Sequence, residues 1–145
     1  MKKILLAAAL VATSAAVLPT ERPMEPQEVP AWLAFDIDDV RAQRAEHGRP
    51  WQELIRVPDL FAGVYEIAAG GEDRQNPHDA DEVYYVLSGR AVLTVEADRI
   101  PVEAGSVVFV AKDKAHRFVE ISEDLSVLVF FATASEGEEA PAGGD

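Results

Sequence analysis

From residue 51 to residue 131 the chain repeats one pattern. Three to eight residues rich in Val, Ile, Leu, Phe and Tyr are followed by a break at Gly, Pro, Asp or Ser. Runs of this length, with β-branched and aromatic residues, predict strands rather than helices. They fall at 54–57, 61–68, 83–87, 91–95, 100–102, 107–110, 118–121 and 125–131. Pro58-Asp59, the Gly70-Gly71-Glu72-Asp73 stretch, Ser88-Gly89 and Ala97-Asp98 supply turn signals between them. In 91–95, Ala91, Leu93 and Val95 alternate with Val92 and Thr94, as on a strand with one face buried. Regular short strands with such turns predict an all-β sandwich or small barrel.

Upstream the pattern changes. Asp36 is placed to cap a helix from Ile37 to about His47, with Asp38 and Asp39 in its first turn and Gly48 as its stop. Its apolar residues are Ile37, Val40 and a few alanines, so it should lie on the outside of the barrel. Residues 31–35 read as a short edge strand, with Trp32 and Trp51 packing this extension onto the barrel. His47, near the helix C-terminus where the dipole favours a cation, is read as structural. Residues 19–30 hold four of the nine prolines and read as an extended linker. Residues 1–18 carry Lys2 and Lys3, an apolar stretch from Ile4 to Ala12, and small residues at Thr13 to Ala16. That is the order of a secretory signal, the alternative being an uncleaved anchor. The apolar stretch falls short of the ~20 residues that span a bilayer, so no stable membrane span is expected and the mature protein should be secreted or periplasmic. Residues 135–145 are acidic and rich in Gly and Ala, hence expected to be disordered. The organisation is thus signal peptide (1–18), linker (19–30), strand and helix extension (31–50), barrel (51–134) and tail (135–145).

Composition narrows the function classes. Apolar residues make up 48%, enough for a core. Acidic residues outnumber basic ones 26 to 13, a net charge of -13, and no Lys/Arg cluster interrupts the strand region. Such a surface repels phosphate backbones, which excludes nucleic acid as a partner. Cysteine is absent, so disulfides, thiolate nucleophiles, iron–sulfur clusters and Cys-based zinc sites are excluded. Any metal must be held by His, carboxylate, amide or water.

The candidate chemistry lies between the strands. His78 and Glu82 are four apart at the head of one apolar run, and His116 heads a later one. In extended chain Asn76, His78, Ala80, Glu82 and Tyr84 would share one face, and His116, Phe118 and Glu120 another. Two imidazoles and a carboxylate can hold a divalent transition metal with positions left open. The competing readings are a solvent-facing His78 beside Pro77, a hydrogen-bonded His116 at a strand start, and Glu82 at a wet strand edge. Glu82 heading an apolar run favours the metal, since a buried carboxylate without a partner is costly. Tyr84, Phe109 and Phe118 read as core or pocket lining. Lys112 and Lys114 either flank the pocket mouth or solvate their loop.

Two spaced motifs sharpen this reading. The chain has Gly70-x5-Asn76-x-His78-x3-Glu82-x6-Gly89, then Gly105-x5-Ala111-x-Asp113-x2-His116-x3-Glu120. These resemble the paired motifs of the cupin superfamily, G-x5-H-x-H-x3,4-E-x6-G and G-x5-P-x-G-x2-H-x3-N, with every spacing kept. The likeness extends over about 51–132 and is nearest to small single-domain cupins with the Asp81 to Gly89 run. It implies an all-β cupin barrel or jelly roll. It also implies a divalent metal (Fe, Mn or Zn) held by His78, Glu82 and His116, with Asn76, at the place of the family's first histidine, open to three readings: a weak fourth ligand, the holder of a metal-bound water, or neither. Ala111, Asp113 and Glu120 replace the second motif's proline, glycine and asparagine. Glu120, if inward, would add a second carboxylate. Cupins include dioxygenases, isomerases, decarboxylases, lyases and non-enzymatic binding proteins, so the resemblance implies a small-molecule ligand or substrate in the barrel without choosing a reaction. No catalytic residue is assigned. The alternative is a non-catalytic ligand-binding cupin with weak or no metal. Strand 125–131 is expected to pair across a homodimer.

Overall fold

The computed structural model describes residues 30–132. The expected signal peptide, most of the linker and the acidic tail lie outside them. One helix and six strands follow in order: α1 (Ile37–His47), β1 (Trp51–Val57), β2 (Leu60–Ile67), β3 (Asp81–Val95), β4 (Asp98–Glu103), β5 (Val107–Val110) and β6 (His116–Ala132). All pairings are antiparallel, in the order β1-β2-β6-β3-β4, with β5 on the first half of β3.

The two longest strands organise the sheet. β3 pairs with β6 from Asp81↔Ala132 to Val95↔His116, with register shifts between Val86 and Val92. Gly89, at φ 92°, sits in that stretch, a backbone angle open to glycine at little cost. The chain therefore bends at Ser88-Gly89 without leaving the ladder. The expected separate runs 83–87 and 91–95 are one strand, and so are 118–121 and 125–131. Bulges of this kind let a sheet curl around its own inner face. Along β3 the alternation puts Glu82, Tyr84 and Val86 inside and Asp81, Val83 and Tyr85 outside. Of the inward residues, Tyr84 and Val86 join Leu93, Phe118 and Val127, each 2% exposed or less, in one apolar core. Burying each such side chain contributes roughly 1.5–3 kcal/mol.

Helix α1 forms as expected. Asp36 Oδ1 accepts from the Asp38 and Asp39 N–H groups at 2.9 and 3.4 Å, and Gly48, at φ 67°, donates to the Arg44 carbonyl. The helix buries only Val40. Arg41 and Arg44 reach Glu66 of β2 at 2.7 and 2.6 Å and fasten it to the sheet.

Four expectations are corrected. Residues 31–35 form no strand, because an apolar composition makes a strand only where a neighbour supplies hydrogen bonds. Trp32 is 78% exposed and joins nothing to the barrel, whereas Trp51 packs on Phe61. Phe109 is 60% exposed: the register that turns Val108 and Val110 inward turns Phe109 outward beside Val83. Strand 125–131 lies in the sheet interior, with β2 on one side and β3 on the other, and has no backbone edge to offer a second copy. Among the described residues no helix is long and apolar enough to cross a membrane.

Candidate metal centre

Glu82 lies on the inner face at the start of β3, 1% exposed, and His116 opens β6 at 4%. His78 approaches from the connection before β3. One donor atom from each of the three falls within 4.8 Å of the others. The His116 ring is fixed by the Lys114 carbonyl, 2.7 Å from Nδ1. A carbonyl only accepts, so Nδ1 carries the proton and Nε2 faces the cluster. His78 Nδ1 is 2.7 Å from Glu82 Oε1, and His116 Nε2 is 3.4 Å from the same oxygen, so these are the two ring nitrogens that converge on the carboxylate.

Tyr84 closes the group. Its hydroxyl donates to Glu82 Oε2 at 2.5 Å and lies 2.9 Å from His116 Nε2. Burial by itself would push the Glu82 carboxyl up, but hydrogen bonds from His116, Tyr84 and His78 outweigh it and hold the group below its ordinary value. Burial likewise works against His116, yet its bonds to Glu82 and the Lys114 carbonyl raise it. His116 Nε2 thus faces both the Tyr84 oxygen, at 2.9 Å, and Glu82 Oε1, at 3.4 Å, while the Tyr84 hydroxyl donates to the carboxylate. Burial and the adjacent Glu82 push the Tyr84 phenol far up, so it stays protonated.

The rest of the site was not legible in the sequence. Asn76 is exposed, and its neighbour Gln75 faces the cavity. Gln75 Oε1 lies 3.2 Å from the Tyr84 hydroxyl, and its Nε2 donates to Asp73 at 2.8 Å. Asp73, read as part of a turn, is 3% exposed. Its carboxylate also accepts from the Tyr65 hydroxyl (2.8 Å), the Gln75 N–H (3.1 Å) and the Phe118 N–H (2.7 Å). It thereby ties the connection carrying Gln75 and His78 to the start of β6. A polar residue in a Gly-rich stretch gives no signal of such burial. Glu120 points outward, paired with Arg99 at 2.6 Å and 67% exposed; the expected second carboxylate is absent from the cluster. Asp113 adopts φ 63°, the angle the motif's glycine would supply and one that Asp tolerates. Its N–H donates to the His78 carbonyl at 2.7 Å, so the two motifs are joined through their backbones. Lys114 pairs with Glu96 at 3.1 Å.

The donor set fits a divalent transition metal. Two imidazole nitrogens and one carboxylate converge, and among the described residues no Lys or Arg pairs with Glu82. The group borders a cavity of about 460 Å3 lined by Trp51, Phe61, Phe131, Tyr84, Gln75 and His78, among others, within the usual size range of small-molecule pockets.

The Cupin domain family profile matches residues 63–131. An uncharacterised protein of Streptomyces coelicolor is 44% identical over 99 residues, spanning 68% of this chain and 94% of its own. The chain belongs to the cupin superfamily. This cupin is also similar to the dimethylsulfoniopropionate lyase DddW of Ruegeria pomeroyi, 29% identical over 90 residues and 59% of each chain. Among solved structures it superposes on TT1209 of Thermus thermophilus with a TM-score of 0.56 at 19% identity, covering 68% of this chain and 95% of that one. That likeness concerns the fold.

Proposed function

We propose that this cupin is exported through residues 1–18 and holds a divalent metal (Fe, Mn or Zn) at His78, Glu82 and His116, where it binds a small organic molecule. The observation that carries the reading is the convergence of two imidazoles and a buried carboxylate, paired with no described Lys or Arg, beside an aromatic cavity. A metal with three protein ligands has positions left for substrate or water and supplies Lewis-acid, water-activating or, for iron, oxygen-dependent chemistry. Around it His116 is oriented by the Lys114 carbonyl, and the protonated Tyr84 hydroxyl holds the Glu82 carboxylate in place. Similarity to a lyase adds lyase chemistry to the dioxygenase chemistry that open iron positions would permit. A second, non-catalytic reading is favoured by one observation: the place of the family's first histidine is the exposed Asn76, and a three-ligand site is the weaker binder.

Elemental analysis of protein purified without a metal-chelating tag tests the metal. About one equivalent per chain is expected, lost in His78→Ala and His116→Ala. Absence of stoichiometric metal, or its retention in both variants, overturns the metal reading and leaves the ligand-binding one. We also propose a homodimer, formed through an outer sheet face rather than through a strand edge.

A further inference from the structure

An aromatic wall leads from the histidines to one charged side chain. Phe131 meets His78 edge-on, ring centres 5.0 Å apart, and stacks on Phe61 at 5.3 Å. Trp51 closes on both, at 5.1 and 6.0 Å. Gly63 makes this possible, because a side chain there would run into the Trp51 ring. At the far end the Arg56 guanidinium covers the Phe61 ring, 3.9 Å from its centre. Glu53 engages Arg56 Nε and Nη2 at 2.9–3.3 Å, a pairing in which Nη1 takes no part. No other described Lys or Arg lines the cavity.

We infer that the cavity takes a small organic anion, its acidic group on Arg56 and its apolar body on the Trp51–Phe61–Phe131 wall, reaching toward His78. This rests on reading the cavity as a small-molecule site. A guanidinium presents a planar donor fork that matches a carboxylate, and Glu53 already shows that pairing. Aromatic faces also attract cations, but the Phe61 face is occupied by one. Asp79, the acid at the rim, and Arg56 are both exposed to water; what sets Arg56 apart is its seat on the aromatic wall, 3.9 Å from the Phe61 ring centre.

The test uses three probes with one ring and three charges: phenylacetate, phenylacetamide and phenethylamine. Trp32 and Trp51 are the only tryptophans, so Trp32→Phe leaves Trp51 as a fluorescent reporter on the wall. Titrations are run on chelator-treated and on manganese-loaded protein. Phenylacetate should bind at least tenfold tighter than the other two in both states, and acetate, lacking the ring, should bind far more weakly. Arg56→Gln should erase the preference. Glu53→Gln, which removes the competing carboxylate, should strengthen phenylacetate binding. Equal binding of the three, preference for the amine, or a preference surviving in Arg56→Gln overturns the proposal. The preference in protein that takes up no metal sinks only the metal reading, whereas metal uptake without the preference sinks only this one.

Discussion

Asp73 does more for the site than its place in the sequence suggests. Four donors from three parts of the chain converge on one buried carboxylate, and hydrogen bonds to a charged acceptor contribute roughly 1.5–3 kcal/mol each. Asp73→Asn turns one acceptor atom into a donor that faces other donors. It should cost about 2–4 kcal/mol in urea denaturation; a loss within about 0.5 kcal/mol, typical of surface changes, would show that the connection holds without it. The cluster itself predicts a two-sided pH dependence of the metal-free protein. Glu82 titrates below its ordinary 4.5, so its stabilisation is present above that value and is lost as the pH falls through the lowered one. His116 titrates above its ordinary 6.5, so its stabilisation is full below 6.5 and lost as the pH rises through the raised one. The melting temperature after chelation should therefore be highest between those two ordinary values. His116→Gln should flatten the alkaline limb, and an unchanged limb in that variant would assign the dependence elsewhere.

Among the elements, the helix and the paired strands separate what is local from what is not. Asp36, Gly48 and the acidic first turn specify α1 by contacts within a few residues, so its bounds could be read directly. Ser88-Gly89 gives an equally clear local signal, and the backbone there does turn, but β3 continues through it because β6 remains alongside. Two glycines make the distinction measurable. Gly48 has φ 67° with open space around it, whereas a Cβ on Gly89, at φ 92°, would run into the Asp124 carbonyl. Gly48→Ala should cost about 1 kcal/mol, and Gly89→Ala roughly 3 kcal/mol or more, since strain and a backbone clash add. Equal losses in chemical denaturation would mean that the bend can relax.

The molecule as a whole presents a two-faced sheet. Across β6, β3 and β5 the register aligns Phe130, Val83 and Phe109 in one outer row and Leu128, Tyr85 and Val107 in the next. Val83, Tyr85, Val107 and Phe109 are 36–66% exposed, and Trp32, Leu33 and Phe35 of the N-terminal arm 46–78%. At roughly 150–250 Å2 for a large aromatic side chain, these seven leave on the order of 700 Å2 of apolar surface. Arm and face together approach the ~800 Å2 each partner gives to a standard interface. A second copy supplies both complementary surfaces, arm and face, which is the argument for the proposed homodimer. Light scattering should give twice the chain mass, with the dimer favoured by added salt because each copy carries a net charge of -13. Phe109→Asp should yield a folded monomer; a monomeric unaltered protein would overturn the assembly.

The sequence by itself determined the strand-forming runs, the capped helix and the spacing that marks a cupin, and it singled out His78, Glu82 and His116. These follow from periodicity, caps and motif spacing, which act over a few residues or are preserved as intervals. Only the tertiary structure decided that Gln75 rather than Asn76 faces the cavity, that Asp73 is buried, that Phe109 and Glu120 point outward, and that the Tyr84 hydroxyl bridges Glu82 and His116. Alternation specifies which residues share a face, but which face is the inside is set by partners dozens of residues away. In the irregular 68–80 connection there is no alternation to read, and the direction of each side chain is set by what it packs against.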